Sequence, residues 1–208
     1  MPTNYPQYGI YLIPSPSIWY QIAVAHHVFS SEFKAHTAGR FMVHCTVKGF
    51  FKLKENTSIT ELIAALNDLF SRTKAIPTQL EQLIPLNRPI FSPSFFIKLK
   101  NTPEFQKLHE EVWDIVRPYI APDCLFSPVE PVGSMFIPHI TLGMQDLPEE
   151  PGLFHQFQAL AECAYETFSK EPFNASAIQL IEFYSNDWAA ENWGKTLDFK
   201  LLQGWNLE

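Results

Sequence analysis

The chain has 208 residues, 46% of them hydrophobic and 18% charged, which is the composition of an ordinary globule with its own core and excludes a mainly disordered or fibrous protein. Its formal net charge of −7 excludes an indiscriminate grip on long duplex nucleic acid, because neutralising many phosphates needs an excess of Lys and Arg. The eight glycines supply neither a GxGxxG turn nor a GxxxxGKS/T loop, so dinucleotide binding and P-loop nucleotide hydrolysis are not encoded. Cys45, Cys124 and Cys163 are odd in number, lack zinc-type spacing and read as reduced thiols. With no basic and then apolar leader pattern in Met1 to Ile10 and no run of about 18 apolar residues, the sequence reads as a soluble, cytoplasmic protein; a monomer is the separate expectation.

In chain order, Tyr8 to Leu12 reads as a first strand. Ser15 is placed to cap a helix that has Pro16 at its first position and carries Ile18, Trp19, Ile22, Phe29 and Phe33. Phe41 to Leu53 reads as a long strand. Ser58-Ile59-Thr60-Glu61 is a capping box, and Ile59, Leu62, Ile63, Leu66, Leu69 and Phe70 form the apolar stripe of the helix it opens. Gln79 to Leu86 and Phe95 to Lys100 are strands joined through the Asn87-Arg88-Pro89 turn region. Thr102 caps a helix with Pro103 at its first position, apolar at Phe105, Leu108, Val112, Ile115 and Val116, and stopped by Pro118. A proline-rich loop follows to Pro131. Met135 to Met144 is a strand, Leu153 to Phe168 a helix, and Ala177 to Tyr184 pairs with Thr196 to Leu202 around a Trp-rich loop. The periodicity switches repeatedly between 2 and 3.6, so the class is α+β, and no long linker divides residues 1–208 into independent domains.

One pattern recurs. His44-Cys45-Thr46-Val47 and His139-Ile140-Thr141-Leu142 lie 95 residues apart, and the same offset carries the helix that starts near Ile59 onto Phe154 in the later helix. Two lobes facing one cleft are the simplest architecture. Side chains alternate along a strand, so His44 and Thr46 share one face while Val43, Cys45 and Val47 fill the other; His139 and Thr141 oppose Ile140 and Leu142 in the same way. Each copy presents an imidazole and a hydroxyl about 6 to 7 Å apart along the backbone, within reach of one tetrahedral anion. Lys48 continues that face if the strand stays regular, whereas a bulge at Gly49 would turn it away.

Val43-His44-Cys45-Thr46-Val47 and Pro138-His139-Ile140-Thr141-Leu142 resemble the paired h-H-h-S/T-h strands, h being apolar, of the two-histidine (2H) phosphoesterase superfamily, which includes cyclic phosphodiesterases and 2'-5' RNA ligase-like proteins. The resemblance spans nearly the whole chain and implies antiparallel sheets lining a central cleft, with helices outside. It implies a metal-independent enzyme without cofactor that opens 2',3'-cyclic or related ribose phosphodiesters, taking a small phosphorylated nucleotide or an RNA terminus. His44 and His139 would be acid and base, in an order left open, and Thr46 and Thr141 would bind the non-bridging oxygens. Lys48 is a further candidate for substrate contact, and Tyr184 and Trp188 for stacking on a base. Two alternatives stand beside this reading: a noncatalytic module that holds phosphorylated RNA or nucleotide, and a 2'-5' ligase that runs the chemistry backwards. His26, His27, His36, His109 and His155 lack ligand spacing, so no metal site is expected, and alternation turns Cys45 into the apolar layer.

Overall fold

The structure is a computed structural model that describes residues 5–88 and 91–208, with positions 86–88, 91 and 92 taken as backbone only. Residues 1–4 and Pro89, with part of the expected turn, lie outside the described residues. Four antiparallel strands form one sheet in the order β2-β1-β8-β9, namely Cys45–Phe51, Gln7–Ile13, Ala177–Tyr184 and Asp198–Asn206. A second sheet is β4-β5-β6, Leu80–Arg88, Phe91–Leu99 and His139–Met144. A short pair, β3 (Ile76–Thr78) with β7 (Phe173–Ala175), completes the strands.

Two of the helices, the first and third in chain order, cover the sheet opposite to the one they leave. α2 (Ile59–Phe70) and α3 (Pro103–Val116) pack on the four-stranded sheet, whereas α1 (Pro16–Phe33), which leaves β1, crosses to β6 and α4 (Pro151–Thr167) on the three-stranded sheet. Aromatic rings lock that second layer: Phe157 of α4 lies 4.9 Å from Phe29 of α1 and 5.4 Å from Phe95 of β5, centroid to centroid.

Local signals hold with small corrections. The Ser58 hydroxyl accepts from the Thr60 amide, so only half of the expected capping box forms, and the Thr102 hydroxyl accepts from the Phe105 amide. Ser15 precedes α1 without a side-chain cap, and Pro16 holds the first helical position. The expected strands at Phe41 and Met135 begin later, at Cys45 and His139. β1 ends at Ile13 before Pro14, so residues ahead of Cys45 have no partner to pair with, and Gly133–Met135 is a 3-10 turn. Both histidines therefore stand at strand entrances.

Candidate active site

β2 and β6 run beside each other as edge strands of their two sheets, which brings the repeated motifs together. Val43, Cys45 and Val47 are buried, as are Pro138, Ile140 and Leu142, while His44, Thr46, His139 and Thr141 are half-buried on the shared cleft. The His139 charge acts on His44, and the Cys45 thiol lies within hydrogen-bond reach of the His139 backbone.

The two imidazoles are held alike. His44 donates from Nδ1 to the Met42 carbonyl at 2.8 Å, and His139 donates from Nδ1 to the Ile137 carbonyl at 2.8 Å. A carbonyl only accepts, so the proton of each neutral ring sits on Nδ1 and each Nε2 carries a free lone pair. Among the described residues neither Nε2 has a protein partner. Around His44 the Phe41 ring stacks at 4.5 Å and the Tyr11 ring meets it edge-on at 4.6 Å; Phe96 lies 4.8 Å from His139. This apolar casing displaces part of the water around both rings. Burial lowers the His44 pKa to about 4, helped by the His139 and His26 charges and opposed by the Met42 carbonyl; burial also lowers that of His139.

Thr46 and Thr141 use their carbonyls, toward the Cys45 thiol and the His26 Nε2–H, in the side-chain hydrogen bonds they make, leaving both hydroxyls open to a ligand. Thr46 faces Tyr11 across β1 and Thr141 faces Phe96 across β5. Tyr11, Phe41 and Phe96 were missed by the sequence reading. One available signal was Gly9, two residues before Tyr11: a Cβ there would stand 2.2 Å from the Tyr11 hydroxyl, so the glycine gives that ring its place.

Three expected contacts are corrected. Register irregularities on both sides of Lys48 break the alternation, pairing it with Ile10 and turning it away from the cleft. Fully buried, its ammonium bonds Glu130, the Ser127 hydroxyl at 3.1 Å and the Gly49 carbonyl at 3.2 Å, and lies 5.0 Å from the Trp113 ring. Tyr184 sits on the sheet face of Glu182 and Tyr8, opposite to that of Phe183 and Tyr11, so it does not reach His44. Trp188 is core, 2% exposed against Phe50 and Phe126. Burial pushes the Cys45 thiol up to about 12, which removes it as a nucleophile. Among the described residues no group of three or more His, Cys, Asp or Glu forms a metal cage.

A profile of the 2'-5' RNA ligase superfamily matches residues 14–187. The chain belongs to the 2'-5' RNA ligase superfamily. Similar solved structures of this 2H phosphoesterase fold include TT0787 of Thermus thermophilus, with 13% identity, 97% of each chain covered and a TM-score of 0.63. They also include E. coli LigT complexed with phosphate, at 14% identity, 99% of each chain and a TM-score of 0.51, and a phosphoesterase at 14% identity, 97% of this chain, 98% of the other and 0.53. At those identities the likeness shows the fold alone. No curated protein sequence matches the chain. No helix among the described residues is long and apolar enough to cross a membrane.

The buried histidines make a pH prediction. His44, His139, His26 and His109 are all depressed by burial, so the unfolded chain binds more protons than the folded one below pH 6.5. Their contribution to stability is complete above that pH and is lost as the pH falls toward about 4. Urea midpoints should decline from pH 7 to pH 5, and His44→Gln should flatten the decline; a midpoint that holds constant over that interval contradicts the assignment.

Proposed function

We propose that the chain works as one two-lobed domain and hydrolyses 2',3'-cyclic or related ribose phosphodiesters, on a small nucleotide or an RNA terminus, by acid–base catalysis between His44 and His139. The observation that carries this is the matched pair of Nδ1–carbonyl bonds, which leaves two Nε2 atoms as the proton-handling positions on one cleft. One neutral Nε2 takes a proton from the attacking water as its oxygen bonds to phosphorus. The other, protonated, gives its proton to the ribose oxygen whose bond to phosphorus breaks, and a phosphomonoester leaves. The identical tautomers let either ring fill either role, so reversal of the step is chemically available to the same pair.

The casing of Phe41, Tyr11 and Phe96 favours neutral rings before substrate binds, and an incoming phosphodiester anion offsets the cost of charging one of them. The Thr46 and Thr141 hydroxyls then donate to the non-bridging oxygens as charge builds in the transition state. The phosphate found with E. coli LigT is in keeping with an anion held at such a place.

The test is a panel of 2',3'-cyclic mononucleotides, short RNAs with cyclic ends and 2'-5' linked dinucleotides, assayed with a chelator present. Wild type should yield phosphomonoesters, and Thr46→Val and Thr141→Val should each lower kcat by about 10²-fold while leaving the urea midpoint nearly unchanged. Ligation alone, or wild-type rates in both variants, overturns the reading.

A further inference from the structure

A groove of about 670 Å³ opens beside the catalytic cleft, between α1 and the segment that leads into β2. Met42, whose carbonyl fixes His44, and Val43 line its inner end, and Phe41 serves both spaces by stacking on His44 while walling the groove. Its outer walls carry Trp19 and Phe199, 38% and 41% exposed, together with Arg40, His27 and His36. No carboxylate lines it, in a chain whose net charge is −7. The nearby Asp146 is occupied by the backbone amides of His36 and Thr37, which fastens the segment carrying Arg40 and Phe41. Among the described residues the Arg40 guanidinium makes no ion pair or side-chain hydrogen bond.

Open aromatic faces beside a cation, with negative charge excluded, are the chemistry that receives single-stranded nucleic acid: bases stack on the rings and a backbone phosphate meets the arginine. A strand ending in a 2',3'-cyclic phosphate has all its other nucleotides on the 5' side, so a polymer bound at the histidines must leave the cleft along one exit. We infer that this groove is that exit, a subsite for the nucleotides 5' of the terminal ribose, with Trp19 and Phe199 stacking bases and Arg40 holding a phosphate. The inference rests on the proposed reaction and makes a short single-stranded RNA end, not a free mononucleotide, the better substrate.

The experiment compares a 2',3'-cyclic mononucleotide with trinucleotides ending in the same cyclic phosphate, and measures binding of a fluorescent trinucleotide 3'-phosphate by anisotropy. Wild type should have a KM about tenfold lower for the trinucleotide, and Trp19→Ala or Arg40→Ala should bring the ratio toward one. Arg40→Ala should also reduce the slope of log affinity against log salt by about 0.7. Tyr20→Ala, on α1 and 66% exposed outside the groove, is the control that keeps the wild-type ratio. Equal KM values in wild type, or a preference untouched by both groove variants, overturn the subsite while leaving the reaction intact. If no substrate turns over, the proposed function fails, and anisotropy still decides the groove: trinucleotide affinity that drops in both variants sustains it, and unchanged affinity sinks it.

Discussion

Replacing His44 or His139 with asparagine should lower turnover of a 2',3'-cyclic nucleotide by about 10²- to 10⁴-fold. Asparagine is the informative choice because its amide can still donate to the Met42 or Ile137 carbonyl while supplying nothing at Nε2, so the local fold is kept and the proton path is cut. The double variant should be little worse than either single one, since both groups act in the same transition state and removing one already disables it. The pH profile separates a chemical from a structural role: wild type should give a bell, and each single variant should lose one limb. Asparagine variants that keep more than a tenth of wild-type kcat, with both limbs present, would remove the histidine pair from the mechanism.

The largest effect on stability is expected at Glu130. Lys48 is fully buried, and burial lowers its pKa while the Glu130 carboxylate holds it up; that carboxylate also accepts from the Gly49 amide at 2.6 Å. Because β2 is a sheet edge and bulged here, the Gly49 N–H has no strand partner, and Glu130 supplies it from the proline-rich loop. Glu130→Ala leaves a buried ammonium without its counter-charge and should cost about 3 to 5 kcal/mol, lowering Tm by about 10 °C. The double replacement Lys48→Met with Glu130→Gln should recover most of that loss, because it removes the charge instead of stranding it. Thermal unfolding of the three variants decides the matter, and a Glu130→Ala protein that melts with wild type would show the pair to be idle. Since the pin lies close to Thr46 on the same strand, kcat should fall in Glu130→Ala as well.

Much of the candidate site was legible because it is written in local code. Alternation in Val43 to Val47 and Pro138 to Leu142 predicts which side chains enter the apolar layer and which do not, and burial follows it residue by residue. Capping at Ser58 and Thr102 likewise located two helices. What failed was set by distant partners. The alternation that exposes Thr46 would also expose Lys48, and only a bulge paired against β1, with a carboxylate some eighty residues away, turns it inward. The aromatic ring of Tyr184 suggests stacking, but its face is fixed by the Tyr8–Glu182 register, which no single strand reveals. The β3–β7 pair went unnoticed because three residues are too few to carry a period. Phe41 and Tyr11, which set the electrostatics of His44, read as ordinary strand aromatics until the chain folds around them.

The crossing of α1 has a mechanical consequence. The helix that departs from the four-stranded sheet is the buttress of the other one, clamped there by the Phe29–Phe157–Phe95 contacts, and α3, which departs from the three-stranded sheet, packs on β2 in return, so the jaws bearing the two imidazoles are cross-braced. Opening them would mean shearing that aromatic joint. A gap braced in this way favours discrimination by gauge, toward a group that fits its span, over wrapping around whatever arrives.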